Sequence, residues 1–419
     1  MKSKKFVVDL FAGCGGLSLG LEKAGFHPIF VNELNNDAMA SYLKNREKVE
    51  PRLFSPEFHE NDIKKIVTTR GFIQKLSQAF KREFNLSIAD GELDLVVGGP
   101  PCQGFSGIGH RRSYSVNKEQ LPSNHLFQDM AWVVNKLRPK IFLFENVKGL
   151  LSARWNPNGT KGEIFADVLE AFCSIKGYRV EYALVLAKDY GAPQNRPRIF
   201  IVGVRSDINL SPWEQINSGV ANGFLPAPTY DAPDLIDLLG DLVDPGFEYG
   251  GANSTYVNPA STAVQQLLRT NLDGKISPKG AALTEQEYSK HSDRVIEKFI
   301  YMLKNNGEIP QHLQTKKFAQ RVLPARWGKL GPTITATSLA DDYVHFSQAR
   351  ILTVREWARL QGFPDWYQFA GSRTTGGLRR AGNPKKGIFD RELPKYTQIG
   401  NAVPVYLSEK IGQHFIKVL

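Results

Sequence analysis

The chain has 419 residues, and its 53 lysines and arginines outnumber its 42 aspartates and glutamates, which gives a formal net charge of +11. A hydrophobic fraction of 42% with 23% charged residues is typical of a globular protein and excludes wholesale disorder. The length predicts two or three lobes. The positive charge indicates an anionic partner, with nucleic acid first, although plain solubility would also account for it.

The cysteine content and the hydropathy pattern exclude several classes of protein. Three cysteines without CxxC spacing argue against a disulfide framework or a cysteine-rich zinc site, so we predict no metal. No apolar run approaches the roughly 18 residues that a membrane span requires. Asp9 interrupts the apolar run near the start, which makes a secretion signal a poor interpretation. These features predict a protein of the reducing cytoplasm.

Short apolar runs that end in glycine, proline, asparagine or acidic residues predict buried strands of a parallel sheet. The predicted strands cover residues 6–10, 29–31, 93–97, 141–144 and 199–204. Helical patterns alternate with them, over residues 17–24, 37–44, 127–137 and 163–175. This alternation predicts an open α/β sheet with helices on both faces, whose ligands lie beyond the carboxyl ends of the strands.

The chain loses its regular periodicity after residue 204. Residues 205–330 carry many Gly, Pro, Asn and Asp and predict a second, loop-rich lobe. Segment 397–419 predicts a turn and a helix that return to the first lobe. We therefore predict one domain of residues 1–204 plus 394–419, and a small domain of residues 205–393 whose variable part is 205–330.

A glycine-rich turn, Phe11-Ala12-Gly13-Cys14-Gly15-Gly16, follows the first predicted strand. Glycines there allow a ligand to approach backbone N–H groups closely, although such a turn can also lack a ligand. Glu33 ends the second strand, where a carboxylate can accept both ribose hydroxyls, and Asp62 could accept an exocyclic amine. Ser18 stands at the third glycine position of the dinucleotide fingerprint, which favours a nucleoside cofactor without a pyrophosphate.

Cys102 follows Pro100 and Pro101 at the carboxyl end of a predicted strand. A thiol presented rigidly at this position suggests a nucleophile. Lone cysteines are more often inert core residues, and we keep that interpretation for Cys14 and Cys173.

Charged side chains flank the last two predicted strands. Glu145 directly follows an apolar run, where burial would raise its pKa and let it exchange a proton, unless it is only a cap or a surface residue. Arg196 and Arg198 precede the next strand at a spacing of two, which projects both to one side. They predict a positive prong for a phosphate or a carbonyl oxygen, or else a solubility pair.

Eight segments, taken in order, resemble the motifs of the DNA (cytosine-5) methyltransferase family of bacterial restriction-modification systems. They are residues 9–16, 32–33, 61–63, 99–106, 145–147, 194–198, 350–364 and 398–404. The resemblance spans nearly the whole chain apart from residues 205–330. It implies a Rossmann-like, S-adenosylmethionine-dependent methyltransferase sheet with a smaller, loop-rich target recognition domain.

The resemblance also implies the roles of individual residues. Cys102 would add to carbon 6 of a flipped-out cytosine in double-stranded DNA, and Glu145 would hold the ring at N3 and the exocyclic amine. Arg198, with Arg196 nearby, would stabilise charge at the O2 carbonyl. The implied contacts to S-adenosylmethionine are Phe11, Gly13, Gly15, Gly16, Glu33, Asp62, Ile63, Pro101 and Asn401.

The family's biology implies a monomer in the bacterial cytoplasm, beside a restriction endonuclease that acts on the same site without a stable complex. Two positions depart from the family pattern: Leu34 replaces a tryptophan that packs on the adenine, and segment 123–125 lacks an Asp-x-Arg. Three alternatives stay open: cytosine-5 methylation of transfer RNA, a catalytically inactive DNA-binding relative, and, more distantly, a nicotinamide oxidoreductase.

The positive charge is distributed unevenly. Segment 205–260 has a net charge of −7, whereas segment 261–330 has +6 and segment 373–395 has +5. We predict that the two basic segments face DNA phosphates and that 205–260 faces away. Two segments are long for the family core, residues 67–92 and 373–393.

Overall fold

The computed structural model describes residues 4–101, 122–216, 220–314, 320–326, 332–334, 339–374 and 392–419, and elements are numbered within these ranges. Strands of the main sheet are β1 (Lys5–Leu10), β2 (Phe26–Asn32), β3 (His59–Glu60), β4 (Leu95–Gly98), β5 (Ile141–Val147), β6 (Tyr178–Leu186) and β7 (Pro197–Arg205). They lie in the order β3-β2-β1-β4-β5-β7-β6. The short strands β8 (Arg321–Val322) and β9 (Tyr343–Val344) form a separate parallel pair.

The sheet is parallel except for one strand. Strands β1 to β5 pair in parallel, whereas β7 runs antiparallel to β5 and to β6. The prediction that residues 199–204 form a parallel strand is therefore wrong. Residues 187–196, which join β6 to β7, are too few for the crossover that a parallel pair requires.

Strand β6 is missing from the sequence-based prediction because it lies at the edge of the sheet. Its exposed side chains include Tyr182, Leu184 and Leu186, and charged residues interrupt its apolar pattern. An edge strand that is only half covered does not produce the continuous apolar run that marks a central strand.

Helices cover both faces of the sheet, as predicted. The helices of the described ranges are α1 (Gly16–Ala24), α2 (Asn36–Lys44), α3 (Ile63–Thr68), α4 (Phe72–Phe84), α5 (Leu126–Leu137), α6 (Glu163–Cys173), α7 (Ser211–Ile216), α8 (Leu235–Leu239), α9 (Ala263–Arg269), α10 (Asp293–Lys304), α11 (Leu339–Asp342), α12 (Val354–Leu360), α13 (Lys395–Asn401) and α14 (Val405–Phe415). The four predicted helices correspond to α1, α2, α5 and α6. Helix α4 occupies much of the long segment 67–92.

Alternate residues of β1 supply two separate cores, as the pleat of a strand requires. Val8 and Leu10 pack with α3, α4, α5 and α6, whereas Val7 packs on the opposite face with α1, α7 and α14. The C-terminal helix α14 thus returns to the sheet beside α1, as the sequence predicted.

A third core joins α8, α9, α10, α12 and α13. A fully buried ionic cluster lies beside it: Asp241 accepts hydrogen bonds from Arg269 Nε at 2.7 Å and from Arg359 Nη1 at 2.5 Å. Arg359 Nη2 also donates to Asp365 at 2.6 Å. The predicted domain boundaries at 204 and 393 stay a prediction.

Within the described ranges, no helix is long and apolar enough to cross a membrane. The same residues contain no group of three or more His, Cys, Asp or Glu side chains arranged to hold a metal ion.

Candidate active site

The predicted site residues of the described ranges gather at one edge of the sheet. Strands β1, β2, β4 and β5 end there, and the antiparallel β7 begins there, with Arg198 paired to Val147. The reversal of β7 is what brings the start of this strand, rather than its end, to the carboxyl ends of the others. Polar groups from five strands therefore meet at this edge.

The glycine-rich turn after β1 is tied to the end of β2. Gly13 and Gly15 have φ angles of +56° and +87°, which residues other than glycine rarely adopt. The N–H of Gly13 donates to Glu33 Oε2 at 2.8 Å, and the N–H of Asn35 donates to Glu33 Oε1 at 2.8 Å. Burial raises the pKa of Glu33, against the effect of these hydrogen bonds. Glu33 thus holds the turn in place while its oxygens keep lone pairs for a further donor.

The space beside this turn is open. A Cβ atom built on Gly13 would meet nothing within 4 Å, and Leu34 is 71% exposed at the same edge. Asp62 caps α3 by accepting the N–H of Lys64 at 2.9 Å, and Ile63 next to it is buried. The structure therefore leaves open space next to the Glu33 and Asp62 carboxylates, where the sequence predicts a nucleoside.

Glu145 and Arg198 form an ion pair in which Arg198 Nε lies 2.6 Å from Glu145 Oε1. Both side chains are largely buried. Burial raises the pKa of Glu145, and the opposing effects of Arg198 and Arg196 are smaller. A Cβ atom on Gly99 would lie 2.9 Å from Glu145 Oε2, so only glycine leaves room for the carboxylate there. Glu145 lies within β5 and not after it, one residue before Asn146.

Arg196 points elsewhere. Its Nη1 donates to the carbonyl of Ile334 at 2.7 Å and its Nη2 to the carbonyl of Gly400 at 2.6 Å. Burial, followed by the charge of Arg198, lowers its pKa. The two arginines therefore do not form the single positive prong that their spacing predicted. Arg196 precedes β7, so its side chain does not share the strand geometry that directs Arg198. Arg196 bonds to backbone beside Asn401, which is exposed at the end of α13.

Amide side chains that sequence reasoning did not single out connect these segments. Asn146 Nδ2 donates to the carbonyl of Pro100 at 3.2 Å, which joins the end of β5 to the loop before Cys102. Gln194 Nε2 donates to Gln361 Oε1 at 2.8 Å, and Gln361 Nε2 donates to the carbonyl of Ile399 at 2.6 Å. All three amides lie within segments that resemble the family motifs. That resemblance is the sequence signal that could have identified them.

Comparisons with known proteins identify the family of this chain. The family model described as C-5 cytosine-specific DNA methylase matches residues 6–417. The chain belongs to this family. The methylase is 28% identical over 469 residues to the Type II methyltransferase M.AgeI of Thalassovita gelatinovora, and the alignment covers 97% of this chain and 98% of the relative. It is 30% identical over 447 residues to the Type II methyltransferase M.BspRI of Lysinibacillus sphaericus, and this alignment covers 98% of this chain and 82% of the relative.

The fold of the methylase matches a solved structure. A crystal structure described as a DNA modification methyltransferase encoded within a prophage of E. coli superposes with a TM-score of 0.64. The two chains are 22% identical and cover 99% of each other. This match shows that the methylase has a methyltransferase α/β fold. Its membership of the family makes it an enzyme that acts on DNA, with S-adenosylmethionine as its cofactor.

The residues of the described ranges fit this cofactor. The open space at Gly13, the carboxylate of Glu33 and the exposed apolar side chain of Leu34 suit a ribose and an adenine without a pyrophosphate. Pro101 is exposed on the other side of the same edge. Leu34 takes the place of the tryptophan that many relatives use, and its exposure leaves it free to contact a ring.

Two of the three cysteines lie within the described residues, and Cys102 lies outside them. Cys14 is buried, and burial raises its pKa to about 12, so it is the inert thiol that we predicted. Cys173 is exposed at the last position of α6, which corrects its assignment to the core.

The buried ionic cluster also corrects one part of the charge prediction. Arg269 belongs to the basic segment 261–330, yet it is fully buried against Asp241 and cannot reach a phosphate. Asp241 likewise contributes to the −7 of segment 205–260 without facing solvent. Part of the contrast in charge between the two segments is thus internal pairing. Most of segment 373–395 lies outside the described residues.

Proposed function

We propose that the methylase transfers a methyl group from S-adenosylmethionine to carbon 5 of a cytosine within a specific duplex DNA sequence, through a covalent bond between Cys102 Sγ and carbon 6. The observation that carries the proposal is the buried Glu145–Arg198 ion pair at the carboxyl edge of β5, beside the loop that leads to Cys102. A ring at this edge would meet a nucleophile, a proton donor and a cation together.

Carbon 5 of cytosine is a poor nucleophile until a group adds to carbon 6. The Cys102 thiolate forms the Sγ–C6 bond, the electron pair of the C5–C6 double bond moves to form a C4–C5 double bond, and the pair of the C4–N3 double bond moves to N3. The raised pKa of Glu145 favours a protonated carboxyl, which donates to N3 while its other oxygen accepts from the exocyclic amine. Arg198 balances the negative charge that develops towards O2.

S-adenosylmethionine, when bound, would supply the methyl group: the C4–C5 electron pair would form the bond from carbon 5 to the methyl group as the S–CH3 bond breaks, leaving S-adenosylhomocysteine. A water or hydroxide then removes the C5 proton, and the electron pair of that C–H bond restores the double bond and expels the Cys102 thiolate. The N3 proton returns to Glu145 in the same step, so the thiolate and the carboxyl are both back in their starting states. A cytosine inside a duplex cannot reach Cys102, so we propose that the base leaves the stack first.

Nine residues are proposed to hold the cofactor: Phe11, Gly13, Gly15, Gly16, Glu33, Asp62, Ile63, Pro101 and Asn401. The contacts of Glu33 and the open space at Gly13 support the ribose site. Arg196 is proposed to act near the ring chiefly through its charge, since its Nη1 and Nη2 groups donate to backbone carbonyls.

The test is transfer of labelled methyl from S-adenosylmethionine to duplex DNA, with RNA assayed in parallel. Cys102→Ala should abolish transfer and the covalent adduct with 5-fluorocytosine DNA. Cys173→Ala is the matched control, because its thiol is exposed on α6, and it should retain full activity. Equal transfer by the wild type and Cys102→Ala would contradict the mechanism, and activity on RNA alone would contradict the substrate.

We further propose that the methylase works as a monomer in the bacterial cytoplasm, on nucleoid DNA, beside an endonuclease that acts on the same sequence without binding it stably. Similarity to Type II methyltransferases supports this arrangement. Residues 1–204 plus 394–419 would form the catalytic domain, and 205–393 the small domain with recognition in 205–330. Bisulfite sequencing of DNA from expressing cells would identify the target, and sedimentation would report the oligomeric state.

A further inference from the structure

The turn after β1 is supported from behind by a side chain from the distant segment that follows α12. The hydroxyl of Tyr367 donates to the carbonyl oxygen of Cys14 at 2.5 Å. Tyr367 is fully buried, and burial raises its pKa, so its hydroxyl keeps the proton that it donates. A residue of the C-terminal part of the chain thus bonds directly to the backbone of the glycine-rich turn.

Arg46 orients this tyrosine. Its Nη1 donates to the Tyr367 hydroxyl at 3.2 Å and to the carbonyl of Tyr42 at 2.8 Å, and its Nε donates to Glu22 Oε1 at 2.9 Å. Burial alone would lower the pKa of Arg46, but Glu22 raises it, which keeps the guanidinium charged. A buried, charged and fully engaged guanidinium holds one orientation, because any other would leave its N–H groups without partners.

Tyr367 and Arg46 contact one side of the glycine-rich turn. A Cβ atom on Gly15 would lie 2.8 Å from the Tyr367 hydroxyl and 2.9 Å from Arg46 Nη1, whereas a Cβ atom on Gly13 would meet nothing within 4 Å. The back of the turn is therefore filled by Tyr367 and Arg46, and its front is open. Both glycines hold left-handed φ angles that depend on such surrounding contacts.

We propose that Tyr367, held by Arg46, is a positioning residue for S-adenosylmethionine: by fixing the Cys14 carbonyl it presents the N–H groups of the turn and Glu33 in the geometry that binds the cofactor. The inference rests on the cofactor site of the proposed function. It assigns part of the cofactor affinity to a side chain outside the predicted cofactor contacts. Tyr367 does not touch the cofactor in this proposal and has no role in the chemical step.

The test is Tyr367→Phe in the full chain. Its ring packs against Phe363 and Phe369, with ring centroids 4.8 Å and 5.5 Å away, so the substitution removes only the hydroxyl. We expect binding of S-adenosylhomocysteine, measured by calorimetry without DNA, to weaken about tenfold, as for loss of one buried hydrogen bond. KM for S-adenosylmethionine should rise by a similar factor, with kcat within about twofold of wild type.

Tyr256→Phe is the matched control. Its buried hydroxyl donates to Asp365 Oδ2 at 2.7 Å, and Tyr256 has no hydrogen bond to the turn. This variant should lose thermal stability as Tyr367→Phe does, yet bind S-adenosylhomocysteine within about twofold of wild type. Arg46→Lys keeps a cation near Glu22 but removes the planar group that orients Tyr367, and it should weaken binding in the same direction as Tyr367→Phe.

Two results would overturn the inference, and they are distinguishable from each other. Wild-type affinity in Tyr367→Phe, with a loss of stability like that of Tyr256→Phe, would reduce Tyr367 to a structural residue and leave the proposed function intact. Failure of the wild-type chain to bind S-adenosylhomocysteine at all would overturn the cofactor site and this inference together.

Discussion

Arg198 at the start of β7 lies with its Nε atom 2.6 Å from Oε1 of Glu145 near the end of β5. The antiparallel pairing of these strands sets Glu145 opposite Phe200 and Val147 opposite Arg198, so the two charges meet diagonally across the ladder. Burial makes each charge costly without the other. The pair therefore holds a carboxyl group and a guanidinium in fixed positions before any ring arrives, and the raised pKa of Glu145 lets that carboxyl take up a proton.

Glu145→Gln should lower kcat for methyl transfer by about 100-fold or more, because the amide cannot deliver a proton from the carboxyl to N3. Binding of S-adenosylhomocysteine should stay at the wild-type level. Single-turnover transfer with labelled cofactor measures the effect, and Glu181→Gln on β6 is the control. Activity within threefold of wild type would show that Glu145 does not assist the ring.

The pH profile offers a second readout of Glu145. Burial raises its pKa, so a protonated carboxyl persists to higher pH than for an ordinary glutamate. If that form is required, kcat should fall as pH rises through the raised pKa, and Glu145→Gln should lack this limb. A wild-type profile identical to that of the variant would contradict the assignment.

Gly99→Ala should reduce activity although it removes no functional group. The new Cβ atom would lie 2.9 Å from Glu145 Oε2, so the carboxylate must shift away from its position beside Arg198. We expect kcat to fall at least about tenfold, as for small displacements of catalytic groups. In the control Gly240→Ala the nearest atom to the new Cβ is 3.8 Å away, and activity should be unchanged. Equal activity in both variants would contradict the crowding at Gly99.

Asp9→Asn should stabilise the methylase at pH 8 and have little effect near pH 4. Burial raises the pKa of Asp9 to about 7, against the opposing effects of Ser18 and Arg46. The folded state thus binds a proton that the unfolded state loses between about pH 4 and 7, so the free energy of unfolding falls over that range as pH rises, by at most about 4 kcal/mol. Asparagine carries no charge and removes this slope.

Chemical denaturation of both proteins between pH 5 and pH 8 measures the difference. Asp94→Asn is the opposing control, because Asp94 is buried but accepts the N–H of Phe6 at 2.8 Å and pairs with Lys140 at 2.7 Å. That variant should be less stable than wild type at pH 8. A pH dependence of Asp9→Asn that matches wild type would refute the effect.

The double variant Lys275→Gln, Lys279→Gln should reduce the salt dependence of DNA binding. Both lysines are exposed in the basic segment 261–330, unlike the buried Arg269. Each phosphate contact that is lost lowers the slope of log K against log salt by about 0.9. Binding titrations at several salt concentrations measure it, with the exposed α4 lysines Lys75 and Lys81 changed to Gln as control. An unchanged slope would contradict the predicted DNA face.

The predictions succeeded where local chemistry is decisive. Helices α1 and α5 begin within one residue of their predicted starts, and Glu33 directly follows β2, at the end of the second predicted strand. Cys14 is buried, as we predicted because lone cysteines are most often inert core residues. These features depend on residue type and on residues close in the sequence, so they can be predicted without the tertiary structure.

The sequence by itself determined the family, the alternation of strands and helices in the first lobe, and the residue types available at the carboxyl edge. The tertiary structure decided the direction of β7, the different partners of Arg196 and Arg198, and the contact of Tyr367 with Cys14. The physical reason is that strand direction and buried hydrogen bonds depend on which distant groups satisfy each other out of water. The spacing of residues along the chain does not identify those partners.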